Sequence, residues 1–216
     1  MKWLIFSRNK KSGKKLFTAK ELLVYSRLPE NTRFEYITQI LADGFTIDTD
    51  NWRFIITLCP ETEKLPVPWD KFSLENWNYI LESLPHLADK CPCLDKFFPE
   101  QWCNLLKKHP ELAHKCHCYK DFSQEIWIEL CWHQMQFMEQ ASAFLSKENL
   151  LELALFHRIK QEKNIWFDPV RLKALLKEQD APCAILVKRD GLPVWEHISH
   201  EWIKDIYQQE REKIYE

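Results

Sequence analysis

Apolar positions in the middle of this chain fall into a helical rhythm that restarts at a fixed interval. Trp77, Ile80, Leu81 and Leu84 stand at i, i+3, i+4 and i+7, one apolar stripe of a helix. Ser73 precedes them as an N-cap, and Glu75 and Asn76 favour the first turn. Pro85 stops that helix or opens the next. Leu87, Ala88 and Cys91 then form a second, shorter helical face at i, i+1 and i+4, which Pro92 breaks. The pattern predicts a unit of helix, turn and short helix. Neither helix buries its face alone, so adjacent units must stack.

The unit recurs. Trp52, Trp77, Trp102 and Trp127 are spaced by 25 residues, as are Phe72, Phe97 and Phe122, with Ile47 in the matching place before them. Pro60, Pro85 and Pro110 keep the same interval. FSLENWNYILESLPHLADKCPCLDK (72–96) aligns without a gap on FFPEQWCNLLKKHPELAHKCHCYKD (97–121), and 10 of 25 positions are identical. The clearest repeats are 47–71, 72–96, 97–121 and 122–143. Trp52, Trp77, Trp102, Trp127, Leu81, Leu106, Cys91 and Cys116 hold repeated positions and are expected to form the repeat core.

Degenerate copies extend both ways. Phe17 to Pro29 resembles Phe72 to Pro85, and Gly44 is expected to cap the helix that follows. Phe144 starts another copy, with Leu150 in the tryptophan's place. Further copies are read at Phe167–Leu176 and at Ile198–Trp202. Ala184-Ile185-Leu186-Val187 before Asp190-Gly191 fits a strand and turn or a second repeat helix, and helix is the expectation. The fold class expected is all-α, a helix-turn-helix repeat solenoid of about seven units. A short N-terminal extended segment is compatible with it. A basic arm at 1–15 would precede a single helical repeat domain at 16–216.

The repeat resembles a short tandem repeat of bacterial proteins of unknown function, with the pattern W-x-x-L-L-x-x-x-P-x-[FL]-A-x-K-C. Trp77, Ile80, Leu81, Pro85, Leu87, Ala88, Lys90 and Cys91 match it, as do Trp102, Leu105, Leu106, Pro110, Leu112, Ala113, Lys115 and Cys116. The resemblance covers residues 52–131 well and the rest poorly. It implies a helical array and no activity.

Composition supports an ordered chain: 45% of its 216 residues are apolar, with 10 Trp and 13 Phe. Three glycines disfavour folds built on glycine-rich turns. The net charge is −2, but residues 1–15 hold six basic residues and no acid. The remainder has 24 basic against 32 acidic residues, a formal −8. The arm is expected to be solvated; contact with phosphates through Lys10, Lys11, Lys14 and Lys15 is the functional alternative. Trp3-Leu4-Ile5-Phe6 is too short for a signal sequence and no run suits a membrane span, so a cytoplasmic location without a membrane partner is expected. The eight cysteines would then be reduced thiols.

Lys90-Cys91-Pro92-Cys93 and Lys115-Cys116-His117-Cys118 look like metal ligands. The repeat already explains their interval, and C-x-C is less common than C-x2-C at zinc. Structural cysteines are therefore expected, with zinc on Cys91, Cys93, Cys116 and Cys118 as the alternative and a redox pair behind it. Cys59, Cys103, Cys131 and Cys183 fit apolar faces. Glu148 with Glu152, and Glu210 with Glu212, read as solvated faces. The soft run from Cys131 to Met138 reads as core, with a partner-binding face as the other reading. No H-E-x-x-H, G-x-x-x-x-G-K-[ST], G-x-G-x-x-G or G-x-S-x-G motif occurs.

No catalytic residues or cofactor are therefore expected. The function expected is non-enzymatic binding of a protein or peptide on a helical-repeat surface. Nucleic-acid binding through the arm and a zinc- or thiol-dependent protein are the alternatives. Specificity is expected at positions that vary between repeats: Asn78, Tyr79, Cys103, Asn104, Ile128 and Glu129.

Overall fold

A computed structural model describes residues 15–163, 183–189, 192–198 and 200–215, with side chains for 15–161 and 202–215. Two compact units follow each other, Met1–His117 and Cys118–Glu216. Helix dominates both.

The first unit opens with a two-residue strand, β1 (Lys15–Leu16), paired in parallel with β2 (Phe45–Thr46). This is the short N-terminal extended segment. Between the strands lie α1 (Ala19–Arg27) and α2 (Glu30–Ala42). Thr18 caps α1, and the Glu21 carboxylate accepts from the Thr18 backbone N–H at 2.8 Å, a reciprocal capping box. Gly44 ends α2 at φ 79°, the left-handed conformation expected of it, and donates to the Leu41 carbonyl. The follower of this first copy is thus a full helix of 13 residues rather than a short one.

The repeats come next. Helices α3 (Thr49–Leu58), α4 (Leu74–Ser83) and α5 (Pro99–Lys108) begin 25 residues apart, each 10 residues long. The expected short second helix is a 3-10 helix: Pro60–Lys64, Pro85–Lys90 and Pro110–Lys115. Proline at each start supplies no N–H, so the preceding α-helix cannot continue. The chain turns at the residue before it, with φ/ψ of −148/88 at Cys59, −133/68 at Leu84 and −130/68 at His109. A second 3-10 turn, Trp69–Lys71 and then Leu94–Lys96, leads into the next repeat. Within this unit α3 packs on α4 and α4 on α5. Trp52, Trp77, Trp102, Leu81 and Leu106 are all buried there.

The N-caps follow the same interval with one exception. Asp48 accepts from the Asn51 N–H at 2.7 Å and Ser73 from the Asn76 N–H at 3.2 Å. At the equivalent place in α5 stands Phe98, which has no oxygen to offer. Pro99 at the first helical position removes one of the donors that need a partner, and Gln101 Oε1 accepts from the Phe98 N–H at 3.0 Å.

In the second unit the 3-10 turn Tyr119–Asp121 leads to α6 (Gln124–His133), capped by Ser123 and centred on the buried Trp127. Here the repeat degrades. Met135 replaces the proline, and the 3-10 turn Met135–Phe137 runs into α7 (Met138–Ala141). The copy read at Phe144 becomes one long helix, α8 (Lys147–Lys163), because no proline interrupts it. Leu150 is half-buried there and Leu151 carries the core position.

The helical expectation for 184–187 is overturned. β3 (Cys183–Arg189) pairs antiparallel with β4 (Leu192–Ile198), with Val187 opposite Val194. Asp190-Gly191 between two runs containing Ile and Val is a strong hairpin signal, and it outweighs a helical stripe too short to sustain itself. α9 (His200–Tyr215) starts where the last copy was read and packs on α8, Tyr215 Oη donating to Glu148 at 3.0 Å. The copy read at Phe167–Leu176 lies outside the described residues.

Candidate functional site

The helix ends are satisfied by side chains from other elements. The last carbonyls of an α-helix have no partner within it. The Arg33 guanidinium, on α2, donates to the Leu58 carbonyl of α3 at 2.9 Å and to Leu28 at 3.2 Å. His109 donates from Nε2 to Glu82 of α4 at 2.9 Å. In the second unit His157 Nε2 donates to Cys131 of α6 at 2.6 Å. His157 is buried, and burial holds its imidazole below the ordinary range. Charged pairs add a rim to the first unit. Lys90 reaches Glu63 at 3.6 Å, Lys108 reaches Glu82 at 2.6 Å, and Lys115 pairs with Asp89, lowering that carboxyl.

On the outer face of α3 and α4 the side chains form a mixed patch. Phe54 and Tyr79 meet edge to face, centroids 5.5 Å apart. The Arg53 guanidinium lies 4.9 Å from the Phe54 ring and 5.2 Å from the Tyr79 ring, with Glu75 3.9 Å away. Tyr79 is 39% exposed. The positions 25 and 50 residues on, Asn104 and Glu129, are exposed too, whereas Phe54, 25 residues before, is half-buried; the residue type changes at each. Asn78 and Ile128 are half-buried. Cys103 departs from the expectation for variable positions: at 2% exposure it is core and presents nothing to a partner. Phe98 is 62% exposed.

The aromatic core is layered. Trp69 stacks on Trp77 with centroids 5.4 Å apart, and Phe72 meets Trp77 edge-on at 5.7 Å. In the second unit Trp127 lies between Tyr119 and Phe144, at 5.6 and 5.3 Å. Leu94 holds the equivalent place in the 25-residue column between Trp69 and Tyr119. Such residues are less easily read from sequence because their 25-residue column mixes Trp, Leu, Tyr and Phe.

The cysteines divide by depth. Cys59, Cys103, Cys116 and Cys131 are buried, as apolar-face residues should be. Cys91, Cys93 and Cys118 are half-buried, so Cys91 is at the margin of the core and not inside it. The Cys91 and Cys93 sulfurs are 3.7 Å apart. Cys91, Cys93 and Cys116 belong to the first unit and Cys118 to the second. Among the described residues no group of three or more His, Cys, Asp or Glu converges as a metal-holding set. His114 Nδ1 faces the Glu111 carbonyl at 2.8 Å, a local contact at the end of its 3-10 helix.

Of the basic arm only Lys15 is described. Its ammonium donates to the Asp43 carbonyl at 2.8 Å and lies 5.4 Å from the Phe45 ring, so it serves the fold at the start of the first unit. In the run from Cys131 to Met138, Cys131 and Phe137 are core, as expected, whereas Met135 is 48% exposed. Glu210 departs from the solvated face expected for it: it is buried, with Lys213 at 2.7 Å and Arg158 at 3.6 Å. No helix among the described residues is long and apolar enough to cross a membrane. No protein family, curated protein or solved structure matches the chain.

Proposed function

We propose that this chain is a non-enzymatic scaffold of the cytoplasm: a helical-repeat solenoid that binds a protein or peptide on the outward face of its repeat helices. The observation that carries the reading is the Arg53–Phe54–Tyr79 patch. Aromatic and Arg side chains are enriched among the residues that dominate binding energy at protein interfaces: aromatics bury large area with few torsions to fix, and Arg offers a planar fork of donors that also stacks on rings. Here Tyr79 is exposed with Arg53 and Phe54 half-buried beside it, at positions whose residue type changes from repeat to repeat, while the tryptophan positions repeat. That division suits an array in which packing is uniform and recognition is local. The resemblance to bacterial tandem repeats supports the array and is silent on the partner.

The test is a pull-down of the tagged full chain from lysate, with and without nuclease, beside Tyr79→Asn. Asn is the residue the next repeat carries at the equivalent position, so the fold tolerates it. A stoichiometric protein retained after nuclease and lost with Tyr79→Asn supports the reading. Retention that vanishes with nuclease, or that falls steeply with salt, replaces it with nucleic-acid binding through the basic arm. Retention unchanged by Tyr79→Asn moves the surface elsewhere and overturns the assignment of this patch.

A further inference from the structure

We propose that Cys91 and Cys93 form a reversible dithiol–disulfide site, oxidised by low-molecular-weight disulfides such as oxidised glutathione. The two sulfurs already touch, 3.7 Å apart, and a bond requires them to close to about 2.05 Å. Pro92 between them has a fixed φ, which limits the ways the two residues can drift apart. Both lie at a joint, after the 3-10 helix Pro85–Lys90 and before the 3-10 turn Leu94–Lys96. The closure therefore breaks no α-helical hydrogen bond. Both are half-buried, open to a small reactant, whereas Cys59, Cys103, Cys116 and Cys131 are buried.

The roles of the two sulfurs differ. Burial first, and then the neighbouring Cys93 sulfur, push the Cys91 thiol up to about 12, against a hydrogen bond from the Cys93 backbone that lowers it. Burial therefore disfavours Cys91 as the first nucleophile, and we assign the first attack to its neighbour Cys93. Cys93 attacks one sulfur of oxidised glutathione, the S–S bond breaks, and one glutathione thiolate leaves. The adduct carries no charge on Cys93 and offers no thiol to hydrogen-bond, so two of the causes that raise Cys91 disappear. Cys91 gives its proton to solvent and attacks the Cys93 sulfur, expelling the second glutathione. Two protein thiols lose two electrons and two protons, and the reactant disulfide becomes two thiols. The resulting ring is small, so the bond is strained and readily reduced, as labile rather than structural disulfides are. Lys90, the preceding residue, ties this joint to the previous repeat through Glu63 at 3.6 Å and the Trp69 ring at 5.3 Å, which places the oxidation where two repeats meet.

The experiment equilibrates the reduced full chain in glutathione redox buffers, quenches with acid, alkylates, and maps every cysteine by mass. The expected result is a peptide holding Cys91 and Cys93 that escapes alkylation, has lost two hydrogens, and recovers both on reduction. In Cys91→Ser the Cys93–glutathione adduct should persist at least about tenfold longer than in the parent chain, because its resolving thiol is gone. Circular dichroism checks that both proteins are folded, and the mapping of the parent chain stands without the variant. A parent chain that ends with stable glutathione on Cys91 or Cys93, or that oxidises other cysteines while these two remain alkylatable, overturns the proposal.

Discussion

His109 Nε2 donates to the carbonyl oxygen of Glu82 at 2.9 Å, one repeat upstream. The acceptor is in the last turn of α4, where the helix has no N–H left to give it. His109, the residue before Pro110, therefore serves the preceding helix as well as turning its own chain. His109→Ala should destabilise the protein by about 1 kcal/mol, the usual net worth of one such bond. His109→Gln, which keeps a donor, should recover part of that. Urea midpoints measure both, and equal losses for the two variants would show that packing rather than the hydrogen bond holds the site.

Trp102 is 2% exposed in the core of the first unit. Its replacement by Ala should cost on the order of 3–5 kcal/mol, the transfer and cavity terms together. Chemical denaturation reads this directly. A loss below about 1 kcal/mol is incompatible with a core that has no way to collapse around the missing indole.

Phe98 occupies the N-cap of α5 and is 62% exposed. Phe98→Ser supplies the missing oxygen, and Gln101 already accepts from the backbone N–H at that residue, so the substitution completes a capping box. Stability should rise by about 0.5–1 kcal/mol. Partner binding that falls in the same variant would place Phe98 in the interface, since stability cannot account for it.

His157 makes stability depend on pH. Its folded imidazole is held below the ordinary range by burial, with Lys160 adding to the effect and the Cys131 carbonyl opposing it. The unfolded chain therefore binds more protons than the folded one once pH falls below about 6.5. Stability attributable to His157 is intact above that pH and is lost as pH drops towards the folded value, by at most about 1.4 kcal/mol per pH unit. His157→Gln should flatten that part of the profile. Comparing urea midpoints of the two proteins between neutral and mildly acidic pH isolates this residue from carboxylates that titrate in both.

Gly44 stands at φ 79° with nothing within 4 Å of the place a Cβ would take. Gly44→Ala should therefore cost about 1 kcal/mol through backbone conformation alone. Thermal unfolding checks it, and an unchanged melting temperature would mean that the turn relaxes at no cost.

The amino-acid sequence by itself determined the repeat. A 25-residue interval of Trp, Phe and Pro fixes where helices start and stop, since proline removes a donor and an apolar stripe must be buried. Capping residues and Gly44 were legible for the same reason: their chemistry is local. What tertiary structure decided is everything that depends on a neighbour in space. The segment after Pro85 is 3-10 rather than α, which its short apolar spacing does not distinguish. Helix against strand at 184–187 was settled by pairing with 192–198, which the periodicity of a short apolar run does not encode. The depth of Cys103, the pairing of Glu210 with Arg158 and Lys213, and the meeting of Arg53, Phe54 and Tyr79 depend on which helix faces lie together. A one-dimensional pattern gives the face of each helix, but burial and electrostatics are set by what that face meets.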